Sequence, residues 1–155
     1  MKLPISFIES TRALMGDEEY QELSVALEQE PPDSVRLNSK FPGLAACSSI
    51  SGRIPWAAEG YYLNQRLTFT FDPLFHAGCY YVQEASSMFV EQVLRRYVTT
   101  PVKMLDLCAA PGGRSTHARS VLPEGSLLVA NEVIRNRSQI LAENLTKWGY
   151  ADVVV

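Results

Sequence analysis

A chain of 155 residues with 46% hydrophobic and 20% charged residues has material for a packed core, which excludes a disordered or fibrous polypeptide. Its formal charge of −3 at pH 7 is mildly acidic and neither selects nor excludes a nucleic-acid partner, since a basic face can sit on an acidic chain. Cys47, Cys79 and Cys108 have neither disulfide-framework nor zinc-ligand spacing, so no metal is expected and reduced thiols point to a cytoplasmic protein. Pro4, Glu9 and Arg12 interrupt any signal-peptide core, and no apolar run approaches the ~20 residues of a membrane span, so no membrane partner is expected.

Ile5, Ile8 and Leu14 fit a short helix that Gly16 stops. Asp17 can cap a second helix, whose Tyr20, Leu23 and Leu27 share one face, and Pro31-Pro32 ends it. Ser34 to Asn38 alternates as a half-buried strand, and Pro42-Gly43 and Ser48 to Gly52 carry loop chemistry. Ile54-Pro55-Trp56 and Tyr61-Tyr62-Leu63 flank a turn at Glu59-Gly60, and Leu67 to Phe71 alternates again as a strand. Helices followed by short strands give a small α+β N-terminal domain over residues 1–80. Arg36, Lys40, Arg53 and Arg66 offer it an RNA face, though scattered basic residues are also ordinary solvated surface.

Tyr80-Tyr81-Val82 reads as extended, and from Glu84 a helix fits with Val90, Val93, Leu94, Tyr97 and Val98 on one side. Val102 to Leu107 is a buried strand breaking into the turn Cys108-Ala109-Ala110-Pro111-Gly112-Gly113-Arg114 and a helix over 115–121. Leu127 to Ala130 is a second buried strand. Residues 134–148 form a helix with Ile134, Ile140 or Leu141, Leu145 and Trp148 toward the sheet and Gly149 as its cap, and Asp152 to Val155 opens a third strand. The fold class is therefore α/β: a partial Rossmann-like sheet over residues 81–155, β-α-β-α-β in order 3-2-1, behind the α+β domain. Its first strand would be a long apolar edge, so the sequence reads as the front of a longer protein, with self-association through that edge as the alternative.

Small side chains and a helix N-terminus after a strand make a ligand corner. The dinucleotide fingerprint G-x-G-x-x-G is absent, because Gly112 and Gly113 are adjacent. A P-loop is absent too, with Cys108 where its first Gly belongs and Arg114 in place of Lys. S-adenosylmethionine, whose carboxylate and adenosine need no phosphate cradle, suits close backbone approach at Ala109 to Gly113. Glu132, at the end of the second strand, can accept the ribose hydroxyls, or serve simply as an acidic group at a helix start.

Leu105 to Thr116 closely resembles the cofactor-binding motif of the RNA cytosine-5 methyltransferases of the Nol1/Nop2/Sun family, with Arg114 where that motif usually has Lys. Tyr81 to Met88 and Ser34 to Asn38 resemble two further family segments, and with His76-Ala77-Gly78 the order looks most like the bacterial ribosomal RNA members. The resemblance implies an S-adenosylmethionine-dependent methyltransferase acting on ribosomal RNA. It implies that Cys108, Ala109, Ala110, Pro111, Gly112, Gly113 and Arg114 hold the cofactor, with Glu132 on the ribose. Arg137 matches a position that contributes in some members, and equally reads as a solvated helix arginine.

Family members attack cytosine C6 with one cysteine and use a second to assist release, both on Pro-Cys and Thr-Cys motifs, and none of the three cysteines here occupies such a motif. No catalytic residue is therefore assigned: the nucleophile is expected beyond Val155, and this chain is expected to be inactive alone. Cys108 reads as part of the binding turn, Cys47 and Cys79 as structural, and His76 and His117 as polar loop or helix residues. The alternatives are a non-catalytic RNA-binding or assembly module and a methyltransferase acting on another substrate.

Overall fold

A computed structural model describes residues 3–41 and 49–155, so Cys47 and the Pro42-Gly43 and Ser48 loop positions lie outside the described residues. The chain parts into two compact units, Met1–Pro32 and Asp33–Val155. The first is α1 (Ile5–Glu28), broken where expected: Gly16 leaves helical geometry at φ 86°, ψ 171°. That positive φ favours a residue without a Cβ. Arg12 spans the break, with Nε 3.5 Å from Asp17 and its guanidinium 4.7 Å from the Tyr20 ring centroid.

The second unit holds two sheets. One is antiparallel, in order β2-β3-β1-β4, from β1 (Ser34–Leu37), β2 (Ile50–Arg53), β3 (Gly60–Leu63) and β4 (Tyr80–Val82). β1 lies inside it, pairing Val35 with Tyr61 on β3 and with Val82 on β4. The expected half-buried β1 is in fact covered on both faces: Val35 packs on one, while Ser34 and Arg36 are buried on the other. Two local expectations fail here. Loop chemistry is expected over Ser48 to Gly52, yet Ile50–Arg53 is the outer strand β2, where a register shift between Ile50 and Gly52 accommodates the small residues. The alternation predicts a strand over Leu67 to Phe71, yet Phe69–Phe71 is a single 3₁₀ turn. Its alternation reflects a turn laid against α2 (Pro73–His76), with the Phe69 and Phe75 ring centroids 5.2 Å apart, rather than ladder pairing.

After a 3₁₀ turn at Ser86–Phe89 comes α3 (Val90–Tyr97). Glu91 and Leu94 continue the buried line that Met88 begins; of the expected face Leu94 is buried, while Val93 and Tyr97 point outward. A carboxylate in the middle of the buried stripe is what misdirects an apolar reading.

The second sheet is parallel, in order β5-β6-β7, from β5 (Lys103–Asp106), β6 (Leu127–Ala130) and β7 (Val153–Val154), with α4 (Gly113–Val121) and α5 (Arg135–Trp148) as the crossovers. This is the expected β-α-β-α-β run in order 3-2-1. Leu141, Leu145 and Trp148 of α5 are buried, and Gly149 closes the helix at φ 80°. Ile134 and Ile140, offered as inward positions, are about half exposed, because α5 begins at Arg135 and turns Leu141 inward. Ala109, Ala110, Ala130, Leu141 and Leu145 form one cluster of the core, which brings the turn after β5 onto α5. No helix among the described residues is long and apolar enough to cross a membrane.

Candidate functional site

β5 ends at Asp106, whose carboxylate fastens the turn at both ends. Its Oδ2 accepts the Ser115 hydroxyl at 2.7 Å, and its Oδ1 accepts the Cys108 N–H at 3.3 Å. The strand end thereby grips the first turn of α4, a role the sequence motif contained but did not reveal. From the far side α5 takes hold of the turn's carbonyls: Arg137 donates to Ala110 at 2.9 Å and Asn144 to Pro111 at 2.8 Å.

Gly112 and Gly113 do different work. Gly112 sits at φ 111°, and a Cβ there would meet Leu141 Cδ1 at 3.3 Å, so this glycine lets the turn pack on α5. A Cβ on Gly113 would lie 3.1 Å from the Tyr81 ring, so this glycine lets the edge strand β4 approach the turn. Between them is a cavity of about 340 Å³ lined by β4 and its continuation (Tyr81, Gln83, Glu84) and by the turn. Cys108, Ala109, Ala110, Pro111, Gly113 and Arg114 all border it, while Gly112, Glu132 and Arg137 do not. Tyr81, Gln83, Glu84 and Ser87 are wall residues that the motif reading left unassigned. Tyr81 is half-buried, and burial holds its hydroxyl above the ordinary value despite the Arg36 charge nearby.

Glu132 follows β6, and Arg137 links it to the turn. The Glu132 side chain is 5% exposed, and its Oε1 accepts the Ile134 N–H at 3.0 Å. Its Oε2 lies 3.5 Å from Arg137 Nη1, and the same guanidinium reaches the Ala110 carbonyl. A carboxylate offers about four lone-pair positions, so acceptor capacity remains for a ligand.

The remaining sequence candidates lie elsewhere. Cys79 is buried, and burial followed by the Asp72 carboxylate pushes its thiol up. His76 is exposed and donates from Nε2 to the Thr70 carbonyl at 2.9 Å. His117, buried on α4, donates from Nε2 to Glu91 at 2.8 Å. Burial holds His117 below its ordinary value, against the pull of Glu91. Burial works to raise the Glu91 carboxyl, but hydrogen bonds from His117, Arg95 and the Ala58 backbone outweigh it and leave the group at about 2.

Of the four basic residues offered as an RNA face, Arg36 is 1% exposed and turned inward, a correction imposed by its docking between the two sheets. Lys40 donates to the Gly149 carbonyl and lies over the Tyr150 ring, and Arg53 donates to Ala58 O at 2.6 Å. Among the described residues no cluster of His, Cys, Asp or Glu could hold a metal ion.

A short parallel sheet with a small-residue turn and acid-tipped second strand, joined to an antiparallel sheet that walls the turn, defines a Rossmann-like ligand-binding half-domain with an N-terminal partner. The model for the N-terminal domain of 16S rRNA methyltransferase RsmF matches residues 3–85, and that for 16S rRNA methyltransferase RsmB/F matches residues 98–155. The chain belongs to the family of the N-terminal domain of 16S rRNA methyltransferase RsmF, whose model matches more than half of it. It is 31% identical to ribosomal RNA small subunit methyltransferase F of Serratia proteamaculans over 99% of its own length and 34% of the relative's. It thus spans about a third of the curated relatives it matches. A methyltransferase homolog protein from Pyrococcus horikoshii superposes with TM-score 0.75 at 25% identity, over 98% of this chain and 56% of that one. NSun6 from Pyrococcus horikoshii, solved with SFG, shares the fold at TM-score 0.75 and 17% identity, over 98% of this chain and 65% of that one.

Proposed function

We propose that the protein carrying this chain is an S-adenosylmethionine-dependent RNA cytosine-5 methyltransferase acting on ribosomal RNA, and that this chain supplies its cofactor-binding half. The observation that carries the reading is the turn 108–114, clamped by Asp106 and bordering a cavity of about 340 Å³ with neither phosphate fingerprint in its sequence. The cavity and its donor set fit such a ligand: the turn brings backbone and the start of α4 to its wall, with Arg114 at its rim. Cys108 to Arg114 would hold the methionine end, and Glu132, steadied by Arg137, the ribose hydroxyls. When bound, the cofactor supplies an electrophilic methyl group. This chain's own contribution is to bind and orient it. Family membership and the two matched segments support reading residues 1–80 as an N-terminal α+β domain with an RNA-facing surface and 81–155 as the first half of the methyltransferase domain. The nucleophilic cysteine is proposed to lie beyond Val155. The buried, pKa-raised Cys79 supports leaving it out of the chemistry, and Cys108 is assigned to the cradle.

Calorimetric titration of the 155-residue chain with S-adenosylhomocysteine tests the binding reading. Saturable binding is expected, weakened about tenfold or more by Glu132→Ala, the size of a lost charge-assisted hydrogen bond. Absence of binding, or Glu132→Ala binding as tightly as the unaltered chain, would remove the assignment. C5 methylation of ribosomal RNA by this chain alone would remove the claim that its nucleophile lies elsewhere.

A further inference from the structure

We propose that Arg36, on the antiparallel sheet, is a positioning residue for the binding turn of the parallel sheet, setting the first turn of α4 where the ligand's charged end meets it. The proposal rests on the binding reading above and concerns a residue on which that reading places no role.

Arg36 sits on β1 and is 1% exposed. Its Nε donates to Gln83 Oε1 at 2.8 Å, which aligns the guanidinium along the continuation of β4. Its Nη2 donates to Thr116 Oγ1 at 2.6 Å and to the Gly113 carbonyl at 3.3 Å. The Thr116 hydroxyl donates in turn to the Gly112 carbonyl at 2.8 Å, so one cation fixes both residues that open α4. The guanidinium carbon lies 4.2 Å from the Trp148 ring centroid, which fixes the plane of the fork.

A purely structural role explains this poorly. A buried cation with only neutral acceptors and a ring face costs more than a hydrophobic residue of equal size would, so stability alone favours replacement. The acidic neighbour Glu91 is engaged by His117 and Arg95, and Arg36 Nη1 has no hydrogen-bond partner among the described residues. What the guanidinium does provide is a rigid planar fork that joins the continuation of β4 at Gln83 to two points on the first turn of α4, Gly113 and Thr116, which a Lys ammonium does not reproduce. The turn's other flank is held by Arg137 and Asn144 from α5, so the ligand corner is gripped from both sides.

The test compares Arg36→Met and Arg36→Lys with the unaltered 155-residue chain by amide hydrogen exchange, read at Thr116 and His117 and, as an internal standard, at Leu128 on β6. Both variants are expected to exchange about tenfold or more faster at the turn, the effect of losing a charge-assisted hydrogen bond, with Leu128 unchanged and Lys giving no rescue. Thr116→Val, which removes the acceptor and keeps the arginine, is expected to give the same pattern and serves where an Arg36 variant does not fold. Turn exchange unchanged, or raised in the same ratio at Leu128, overturns the proposal. Titration with S-adenosylhomocysteine separates the two readings: a chain that never binds it defeats the cofactor assignment, while the exchange ratio decides the role of Arg36. Binding that is unaffected in an Arg36 variant with a loosened turn also overturns positioning.

Discussion

The two sheets of the larger unit are stabilised in opposite ways. The parallel sheet is held by apolar burial: Leu128 and Ala130 on β6 are completely buried, Ala130 against α5 and the turn. The antiparallel sheet is held at its interior strand and at α3 by buried polar groups. Arg36, Asn38, Gln83 and Glu91 are all buried, and each hydrogen-bonds to another element. Asn38 alone donates to Gly78 O at 2.9 Å and to Trp148 O at 3.1 Å, bridging the β4 approach and the end of α5. Apolar packing tolerates small shifts, whereas hydrogen bonds fix orientation. The ligand corner lies where the two regimes meet, built on the first and aimed by the second.

The largest expected effect breaks this contrast at Glu91. Glu91→Ala strips partners from His117, Arg95 and the Ala58 N–H together. Losing three hydrogen bonds to one carboxylate, with the buried His117 ring left unpaired while Arg95 and Ala58 turn to water, costs about 3–5 kcal/mol, or roughly 10 °C of melting temperature in a chain of this size. Leu128→Ala on the apolar side is expected to cost about 2–5 kcal/mol through the cavity it opens. Urea titrations of both variants check the pair. A Glu91→Ala cost below about 1 kcal/mol would show that the polar junction is ornamental to stability.

The same contrast explains what could be read in advance. The elements of residues 103–154 are legible because a parallel sheet writes itself as apolar runs punctuated by Gly149 and the 108–114 turn, but the buried strand expected over Val102 to Leu107 leaves Leu105 and Leu107 more than half exposed. The binding turn was legible as a motif, and the structure adds that only six of its seven residues border the cavity. The antiparallel half was not, because its anchors are residue types that sequence reasoning assigns to solvent. Arg36 reads as one of several surface cations, and Glu91 hides the inward face of α3. One signal was available: Arg36 and Asn38 stand two apart on a strand and so share a face, which pairs two long-range donors on one side.

Acid titration gives a smaller, graded effect on the polar side. His117 is held below its ordinary 6.5, so the unfolded chain takes up that proton first and stability falls as pH drops through 6.5. Glu91 is held at about 2 against an ordinary 4.5, so its contribution is present above 4.5 and is lost as pH falls toward 2. Urea midpoints measured from pH 8 to pH 3 should decline in two stages, with Glu91→Gln removing the lower one. A flat profile through both ranges would show that neither group is perturbed by the fold.

The smallest effect is expected on the outward side of β5. Leu105 and Leu107 are 56% and 66% exposed, although they stand in the same apolar run that buries Met104 more deeply. They bury too little surface to matter for folding of this chain, so Leu105→Ser with Leu107→Ser should shift stability by no more than about 0.5 kcal/mol. An exposed apolar strand is, however, a template for association. Sedimentation velocity should then show the unaltered chain self-associating with rising concentration and the double variant remaining monomeric. A monomeric unaltered chain would remove self-association through this edge. A large loss of stability in the double variant would mean that β5 is packed on both faces, and the asymmetry between the two sheets would disappear with it.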